Sequence, residues 1–286
     1  IILIPPILLQ NNIGGMSIMK AKKIAAVMLA ATMTLSLAAC GGSSSSDSKS
    51  ADGASDSGKV YKIGICQQLE HEALDQATKG FEDACEEKFG KDNVTFDLQN
   101  GQGEQANCAT IANNFVADNV DLIMANATTA LQCSAAATSD IPILGTSITD
   151  YATALDISDW TGATGMNISG TSDLAPIDKQ EEMLTELVPD AKTVGILYCS
   201  AEPNSAYQAN VFAEALKKDG ITCKEYTAAD SNEIQSVVTS AVAECDALYI
   251  PTDNTMAANT EIINNICLPA KIPVIAGEQG ICSGCG

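Results

Sequence analysis

The chain has 286 residues, of which 46% are hydrophobic, enough to form the cores of two lobes of ordinary size. It has 15 basic residues, all of them lysine, and 36 acidic residues, so the formal net charge is −21. This charge excludes a nucleic-acid partner, because phosphate contacts need a basic surface, and the lack of arginine excludes a bidentate guanidinium clamp on a ligand.

The N-terminal region predicts export. Met19 opens a lysine-rich stretch, and residues 24–37 form an apolar run that is short for a transmembrane helix. Residues 37–40 read Leu-Ala-Ala-Cys, which resembles the bacterial lipobox. We therefore predict a signal peptide over 19–39 and a lipid anchor to the cell membrane on Cys40, with a plain signal peptide as the alternative. Without the leader, the chain has 12 lysines and 36 acidic residues, which gives a net charge of −24.

Two further segments flank this signal. We interpret residues 1–18 as upstream sequence read in frame, because a leader begins with methionine; a real apolar extension is the alternative. Residues 40–59 are rich in Ser, Gly, Asp and Ala and lack aromatic side chains. Such a composition cannot bury enough surface to fold, so we expect a flexible tether.

From Val60 onward, short β-rich segments alternate with helical ones. A first series predicts strands at 61–66, 94–98, 121–125 and 141–144, with helices at 72–89, 104–118 and 128–138. A second series predicts strands at 193–198, 221–226, 246–250 and 272–276, with helices at 173–187, 205–218, 232–243 and 255–267. We expect the last five residues to form a loop.

This alternation predicts an α/β protein with two Rossmann-like lobes, each built on a parallel sheet with right-handed crossovers. We place the lobes at 60–166 and 167–286 and a hinge near 167–169. Ligands of open α/β sheets bind beyond the carboxyl ends of the strands. The cleft between the two lobes is therefore the expected site.

Eleven cysteines are scattered along the chain without paired CxxC units, which excludes a zinc ribbon. We interpret most of them as buried free thiols that act as small hydrophobic residues. Cys282 and Cys285 have redox-motif spacing, for which a local turn or a disulfide is favoured over a metal.

Several motifs follow the strands in order, and together they resemble one family. They lie at 67–75, 125–128, 198–205, 251–254 and 277–280. They are similar to the substrate-binding lipoproteins of ABC transporters, specifically the tryptophan/tyrosine-binding type with the type I periplasmic-binding-protein fold. The resemblance covers roughly residues 60–286. It implies a last strand and helix beyond residue 286 that close the first lobe, so we expect the chain to be C-terminally truncated.

In the first lobe, polar residues after the strands are candidates for the ligand site. The loop after the third strand opens a helix, whose free N–H groups suit a ligand carboxylate; ordinary helix capping is the alternative. Hydroxyls after the fourth strand are expected to line the cleft, with a plain loop as the alternative. The candidates are Gln68, Glu70, His71, Asn126, Ala127, Thr128, Thr146, Ser147 and Asp150.

In the second lobe, Asp253 is the strongest candidate, because a carboxylate at a strand end without a nearby lysine suits a ligand ammonium group. Capping of the following helix is the alternative, and Glu278 is a second candidate for the ammonium. The remaining candidates in this lobe are Ser200, Asn204, Ser205 and Asn254.

The predicted function is delivery of a small ligand, an amino acid and preferably an aromatic one, to an ABC permease by hinge closure. Alternatives are a sensor subunit of the same fold for a chemoreceptor or kinase, or a sugar or nucleoside binder. With one histidine, no nucleophile–base pair and no phosphate-binding loop, we expect neither an enzyme, a cofactor nor a metal site. We expect a monomer.

Overall fold

The structure, a computed structural model, describes residues 59–286. The predictions for residues 1–58, including the signal peptide, the anchor at Cys40 and nearly all of the tether, lie outside this range. Within the described residues, no helix combines the length and the hydropathy that crossing a membrane requires.

The first lobe is built on a five-stranded sheet. Its strands are Tyr61–Gln67 (β1), Val94–Asn100 (β2), Leu122–Asn126 (β3), Ile143–Ile148 (β4) and Ile168–Ser172 (β5). Its helices are Glu72–Phe89 (α1), Gln105–Ala117 (α2), Thr128–Ala137 (α3) and Tyr151–Ala154 (α4). The order in the sheet is β2-β1-β3-β4-β5, and every pair is parallel.

The second lobe is built on a four-stranded sheet. Its strands are Thr193–Cys199 (β6), Thr222–Ala228 (β7), Ala247–Ile250 (β8) and Val274–Ala276 (β9). Its helices are Ile177–Leu187 (α5), Pro203–Lys218 (α6), Ile234–Val242 (α7), Asn254–Ala257 (α8), Thr260–Ala270 (α9) and Gln279–Cys285 (α10). The order β7-β6-β8-β9 is again all parallel, which confirms the predicted fold class.

Helices cover both faces of each sheet, which explains why the central strands carry apolar runs without alternation. Ile63, Ile65 and Cys66 of β1 are almost completely buried, as are Ile196 and Leu197 of β6. Each lobe holds a core on either side of its sheet.

The chain passes from the first lobe to the second later than the sequence predicts. Residues 168–172 form β5, which pairs with β4, so the first sheet extends beyond the expected boundary at 166. The backbone N–H of Asp173 still donates to the carbonyl of Ile148, at 3.0 Å. This segment is rich in Gly, Ser and Thr, so its strand has no apolar pattern to reveal it.

Two predictions in the second lobe need correction. The expected helix at 255–267 is divided into α8 and α9, and the expected C-terminal loop is helix α10. Glu278 caps α10 with its carboxylate, which explains how a Gly- and Cys-containing segment forms a helical turn.

The described cysteines carry free thiols, Cys282 and Cys285 included, and most of them are buried. The prediction that most of the cysteines are buried free thiols is confirmed, whereas Cys282 is exposed. The described residues contain no group of three or more side chains that could hold a metal.

Candidate functional site

The carboxyl ends of the two sheets face each other across a cleft, and two cavities lie in it. The larger has a volume of about 420 Å³. It lies between the loops that follow β1 and β2 in the first lobe and those that follow β6 and β7 in the second. Among its lining residues are Gln68, Gln102, Glu104, Glu202, Asp230 and Thr255. Its volume is in the range of small-molecule sites.

The smaller cavity, of about 100 Å³, lies at the ends of β4, β5, β8 and β9. Six of the residues predicted for the site line it, and the larger cavity adds Gln68. The six are His71, Ser147, Asn204, Asp253, Asn254 and Glu278. Residues from widely separated parts of the sequence therefore meet between the lobes, as the βα alternation predicts.

A direct hydrogen bond joins the lobes beside the smaller cavity. Nε2 of His71, at the start of α1, lies 3.1 Å from Oδ1 of Asn254, at the start of α8. Because that oxygen can only accept, the histidine donates. Asn254 is in turn held by Glu202, whose Oε2 accepts from its backbone N–H at 3.0 Å and from its Nδ2 at 2.8 Å.

Glu202 is a buried carboxylate at the start of α6 that organises the second lobe's side of the cleft. It is 2% exposed. Besides Asn254, it accepts from the backbone N–H and the hydroxyl of Thr255, both at 2.8 Å, and from Nδ2 of Asn204 at 3.2 Å. These bonds satisfy both oxygens, so the group holds the loop after β8 in place.

Asp253, the strongest sequence candidate for binding an ammonium group, serves the fold instead. It is 1% exposed; Oδ1 accepts from the N–H of Met256 at 2.8 Å and Oδ2 from the N–H of Cys199 at 2.7 Å. It thus caps α8 and ties it to the end of β6. Burial, together with the neighbouring Glu202, raises the pKa of Asp253 to about 7.

Glu278 and Asp150 also cap helices. The carboxylate of Glu278 accepts from the N–H groups of Gly280 and Ile281 at the start of α10. That of Asp150 accepts from the N–H of Thr153 in α4, at 2.7 Å. Both side chains therefore act as helix caps, which differs from their prediction as ligand-binding groups.

The expected carboxylate site at the start of α3 is already occupied by a side chain. Oε1 of Gln68 accepts from the N–H of Thr129, at 3.0 Å. Nδ2 of Asn126 donates to the carbonyl of Leu74 and the hydroxyl of Thr78, at 2.8 and 3.0 Å. Asn126 therefore joins β3 to α1 rather than lining either cavity.

The backbone is strained at the ends of β3 and β4, next to the cleft. Ala127 has φ of 84° and Ser147 has φ of 57°, values that residues with a side chain rarely adopt. Such strain is concentrated at functional sites in proteins. It supports the placement of the site at these strand ends.

The remaining sequence candidates line neither cavity. Glu70 lies on an exposed groove of the first lobe, with Oε2 at 3.5 Å from Nδ2 of Asn100. The others are Asn126, Ala127, Thr128, Thr146, Asp150, Ser200 and Ser205. Their positions at strand ends are as predicted, but they pack into the walls of the cleft or lie at its edge.

Several residues that line the cavities were not selected from the sequence, among them Glu202, Asp173, Thr252 and Thr255. Glu202 and Thr252 lie inside the motifs at 198–205 and 251–254, and Thr255 directly follows the second of these motifs. Asp173 follows the strand that was not predicted. The residues lining the two cavities include no lysine, so the described cleft is acidic.

Comparison with known proteins identifies the family. The model of the ABC transporter substrate-binding proteins matches residues 62–285. The chain belongs to this family. It is therefore a binding protein of an ABC transporter, not an enzyme, and it acts outside the cytoplasm.

Two relatives make the resemblance specific. This substrate-binding protein is 37% identical over 264 residues to a tyrosine-binding protein of Clostridioides difficile, a match that covers 91% of this chain and 76% of that protein. A Streptococcus pneumoniae domain solved in complex with L-Trp is 34% identical, with a TM-score of 0.74 over 78% of this chain and 76% of that one.

A third comparison concerns the arrangement of the lobes. The ligand-free, open structure of a Clostridium difficile substrate-binding protein with adhesive properties is 39% identical over 79% of this chain and 77% of that one, yet its TM-score is 0.55. A higher identity with a poorer superposition is what a rotation between lobes produces. Our substrate-binding protein therefore resembles the L-Trp complex in lobe arrangement.

Proposed function

We propose that this substrate-binding protein captures an amino acid, preferably an aromatic one, and delivers it to the permease of an ABC importer. The observation that carries the proposal is the cavity of about 420 Å³ between two lobes that overlay on an L-Trp complex. Its size suits a ligand of this class. The relation to a tyrosine-binding protein supports the same choice.

The chemistry of the cleft favours a ligand whose carboxylate is bound by neutral donors. Since the chain has no arginine and no lysine lines the cavities, amide and hydroxyl groups must supply these hydrogen bonds. The larger cavity offers Gln102, Gln105, Thr129 and Ser231 for this purpose. Such groups bind a carboxylate well once closure has excluded water.

Closure of the lobes is the mechanism of capture. The ligand docks on one lobe, and the other lobe then closes over it. The His71–Asn254 hydrogen bond forms only when the lobes meet, so it belongs to the closed state that is presented to the permease. We further propose that a diacylated Cys40 holds the protein, as a monomer, on the outer face of the cell membrane.

A thermal-shift screen followed by calorimetry tests the ligand. L-Trp and L-Tyr should raise the melting temperature of the full chain, because ligands that bind only the folded state stabilise it by mass action. Sugars and nucleosides serve as controls and should give no shift. A shift with a sugar or a nucleoside, and none with any amino acid, would refute the proposed ligand class.

The anchor is tested separately. Radiolabelled palmitate fed to expressing cells should label the wild-type chain, whereas Cys40→Ser should carry no label and should leave the membrane fraction. Equal membrane association of both proteins would contradict lipidation at Cys40.

A further inference from the structure

Two cysteine side chains in the core of the first lobe lie in contact with each other. Cys66 is near the end of β1 and Cys108 is in the first turn of α2, and both are free thiols and completely buried. A hydrogen bond between the two side chains joins the strand to the helix. Packing alone does not require such a pair, because any small apolar side chain would fill these two positions.

The backbone beside this pair is arranged so that the two sulfur atoms can approach each other. The N–H of Gly101, directly after β2, donates to the carbonyl of Gln67 at 2.8 Å, and Gln67 is the residue that follows Cys66. A Cβ atom on Gly101 would overlap Sγ of Cys108. The glycine therefore leaves room for the sulfur of α2 next to the end of β1, where the other sulfur lies.

The shared hydrogen bond makes the two thiols chemically different. It raises the pKa of Cys66, as burial also does, and it lowers the pKa of Cys108. Cys66 is therefore the proton donor, and Cys108 is the thiol that ionises more readily. The thiolate is the form of cysteine that attacks a disulfide, so Cys108 can begin thiol–disulfide exchange and Cys66 can complete it.

A third cysteine belongs to the same core but makes a different contact. Sγ of Cys133, in α3, donates to the carbonyl of Gln105 at 3.5 Å. Burial raises the pKa of its thiol to about 11, so it stays protonated at neutral pH. The two sulfurs that share a hydrogen bond, those of Cys66 and Cys108, are therefore the pair that is arranged to react.

We propose that Cys66 and Cys108 form a disulfide bond once the chain has left the cytoplasm. Disulfides form and persist in extracytoplasmic compartments, which is where the proteins of this family act. The oxidant is itself a disulfide, either that of a small thiol or that of an exported thiol oxidoreductase. Because both sulfurs are buried in the folded lobe, the exchange takes place before α2 has packed onto β1.

The exchange proceeds in two steps through a mixed disulfide. The thiolate of Cys108 attacks one sulfur of the oxidant, the disulfide of the oxidant breaks, and its released half takes up the proton that Cys108 lost. Cys66 then loses its proton and attacks Sγ of Cys108, and the second half of the oxidant leaves as a thiol. Two cysteine thiols thus give up two electrons and two protons, which convert one disulfide into two thiols.

The disulfide fixes one wall of the larger cavity in the cleft. Gln68 follows Cys66 closely in the chain and Gln105 precedes Cys108 closely, and both glutamines line this cavity. The bond also closes a loop of the chain that contains α1 and β2, which restricts the unfolded state and stabilises the first lobe. This inference goes beyond the proposed function and does not depend on which ligand binds.

Mass spectrometry of the full chain tests the inference directly. Exported protein, and reduced unfolded protein refolded with glutathione disulfide, are each denatured with N-ethylmaleimide in the absence of reductant and then digested. We expect the peptides of Cys66 and Cys108 to be joined and lighter by two hydrogen atoms than the separate peptides. Alkylated Cys66 and Cys108 in both preparations, or a bond from either of them to another cysteine, would overturn the inference.

Thermal melts give a second readout. Dithiothreitol should lower the melting temperature of the oxidised wild type by about 5–15 °C. The double variant Cys66→Ala, Cys108→Ala should melt at the same temperature with and without the reductant. Cys85→Ala is the matched control and should respond like the wild type, because this buried cysteine of α1 lies in the core on the other face of the sheet. A wild type that is insensitive to reduction, or a double variant that is equally sensitive, would contradict a disulfide at this position.

Discussion

Asp253 and Asp150 cap short helices in the two lobes, but their surroundings differ. Asp150 bonds one N–H group near solvent, whereas Asp253 bonds two N–H groups that belong to different elements and is buried. Removing a cap costs about 0.5–2 kcal/mol, and each buried donor left without a partner costs about 1–3 kcal/mol more. The same chemical change therefore has unequal consequences at the two positions.

We expect Asp253→Ala to lower the free energy of unfolding by about 2–4 kcal/mol, because it leaves the N–H groups of Met256 and Cys199 without acceptors. Asp150→Ala, the control, should cost about 1 kcal/mol. Urea denaturation followed by circular dichroism measures both. Equal losses would show that burial and the bond to β6 do not matter.

The raised pKa of Asp253 predicts a pH dependence of known sign. The folded-state pKa of about 7 lies above the ordinary aspartate value of 3.8, so the folded protein binds this proton more tightly than the unfolded chain does. The contribution of the group to stability is then fully present below pH 4 and is lost as the pH rises to about 7. The advantage of the wild type over Asp253→Asn in urea denaturation should therefore be greater at pH 4.5 than at pH 7.5. A constant difference would contradict the raised pKa.

At the scale of elements, β5 decides where Asp173 lies, and β5 depends on a glycine. A Cβ atom on Gly170 would overlap the carbonyl of Gly145 in β4 and the hydroxyl of Tyr151. That hydroxyl donates to the carbonyls of Gly145 and Thr171, so it joins α4 to both strands. The close approach of β4 and β5 therefore requires a residue without a side chain.

Gly170→Ala should lower the free energy of unfolding by about 1–3 kcal/mol, as overpacking does. Gly80→Ala is the matched control: this glycine is exposed within α1, and a Cβ atom there meets nothing within 4 Å. It should raise stability by about 0.5–1 kcal/mol. Denaturation curves of the two variants that shift in the same direction would count against this steric account.

At the scale of the whole molecule, the relevant equilibrium is between the open and closed arrangements of the lobes. The structure overlays better on the L-Trp complex than on the more identical open protein. Among the side-chain hydrogen bonds of the described residues, the His71–Asn254 bond is the one that joins the two lobes. One neutral hydrogen bond contributes about 0.5–1.5 kcal/mol, enough to shift such an equilibrium up to about tenfold.

His71→Ala should therefore increase the open population and weaken ligand binding by about two- to tenfold, because the closed state loses this bond. Small-angle scattering measures the change as a larger radius of gyration, with and without L-Tyr or L-Trp. His71→Gln keeps a donor and should lie between the wild type and the alanine variant. An unchanged radius in all three proteins would show that the bond does not control closure.

The sequence by itself determined the α/β alternation, the two parallel sheets and the strand ends that face the cleft. These features are local: apolar runs such as Ile63 to Cys66 predict a buried strand wherever they occur. The same reasoning placed His71, Asn204 and Asp253 between the lobes, because parallel strands present their carboxyl ends together.

Only the tertiary structure decided which of these groups are free to bind a ligand. Asp253 is satisfied by the N–H of Cys199, which lies 54 positions earlier in the chain, and Gln68 by that of Thr129, 61 positions later. Asp173 remained hidden because β5 is polar, and its pairing with β4 depends on a steric fit at Gly170. Hydrogen-bond saturation is set by contacts between distant segments, so no local pattern encodes it.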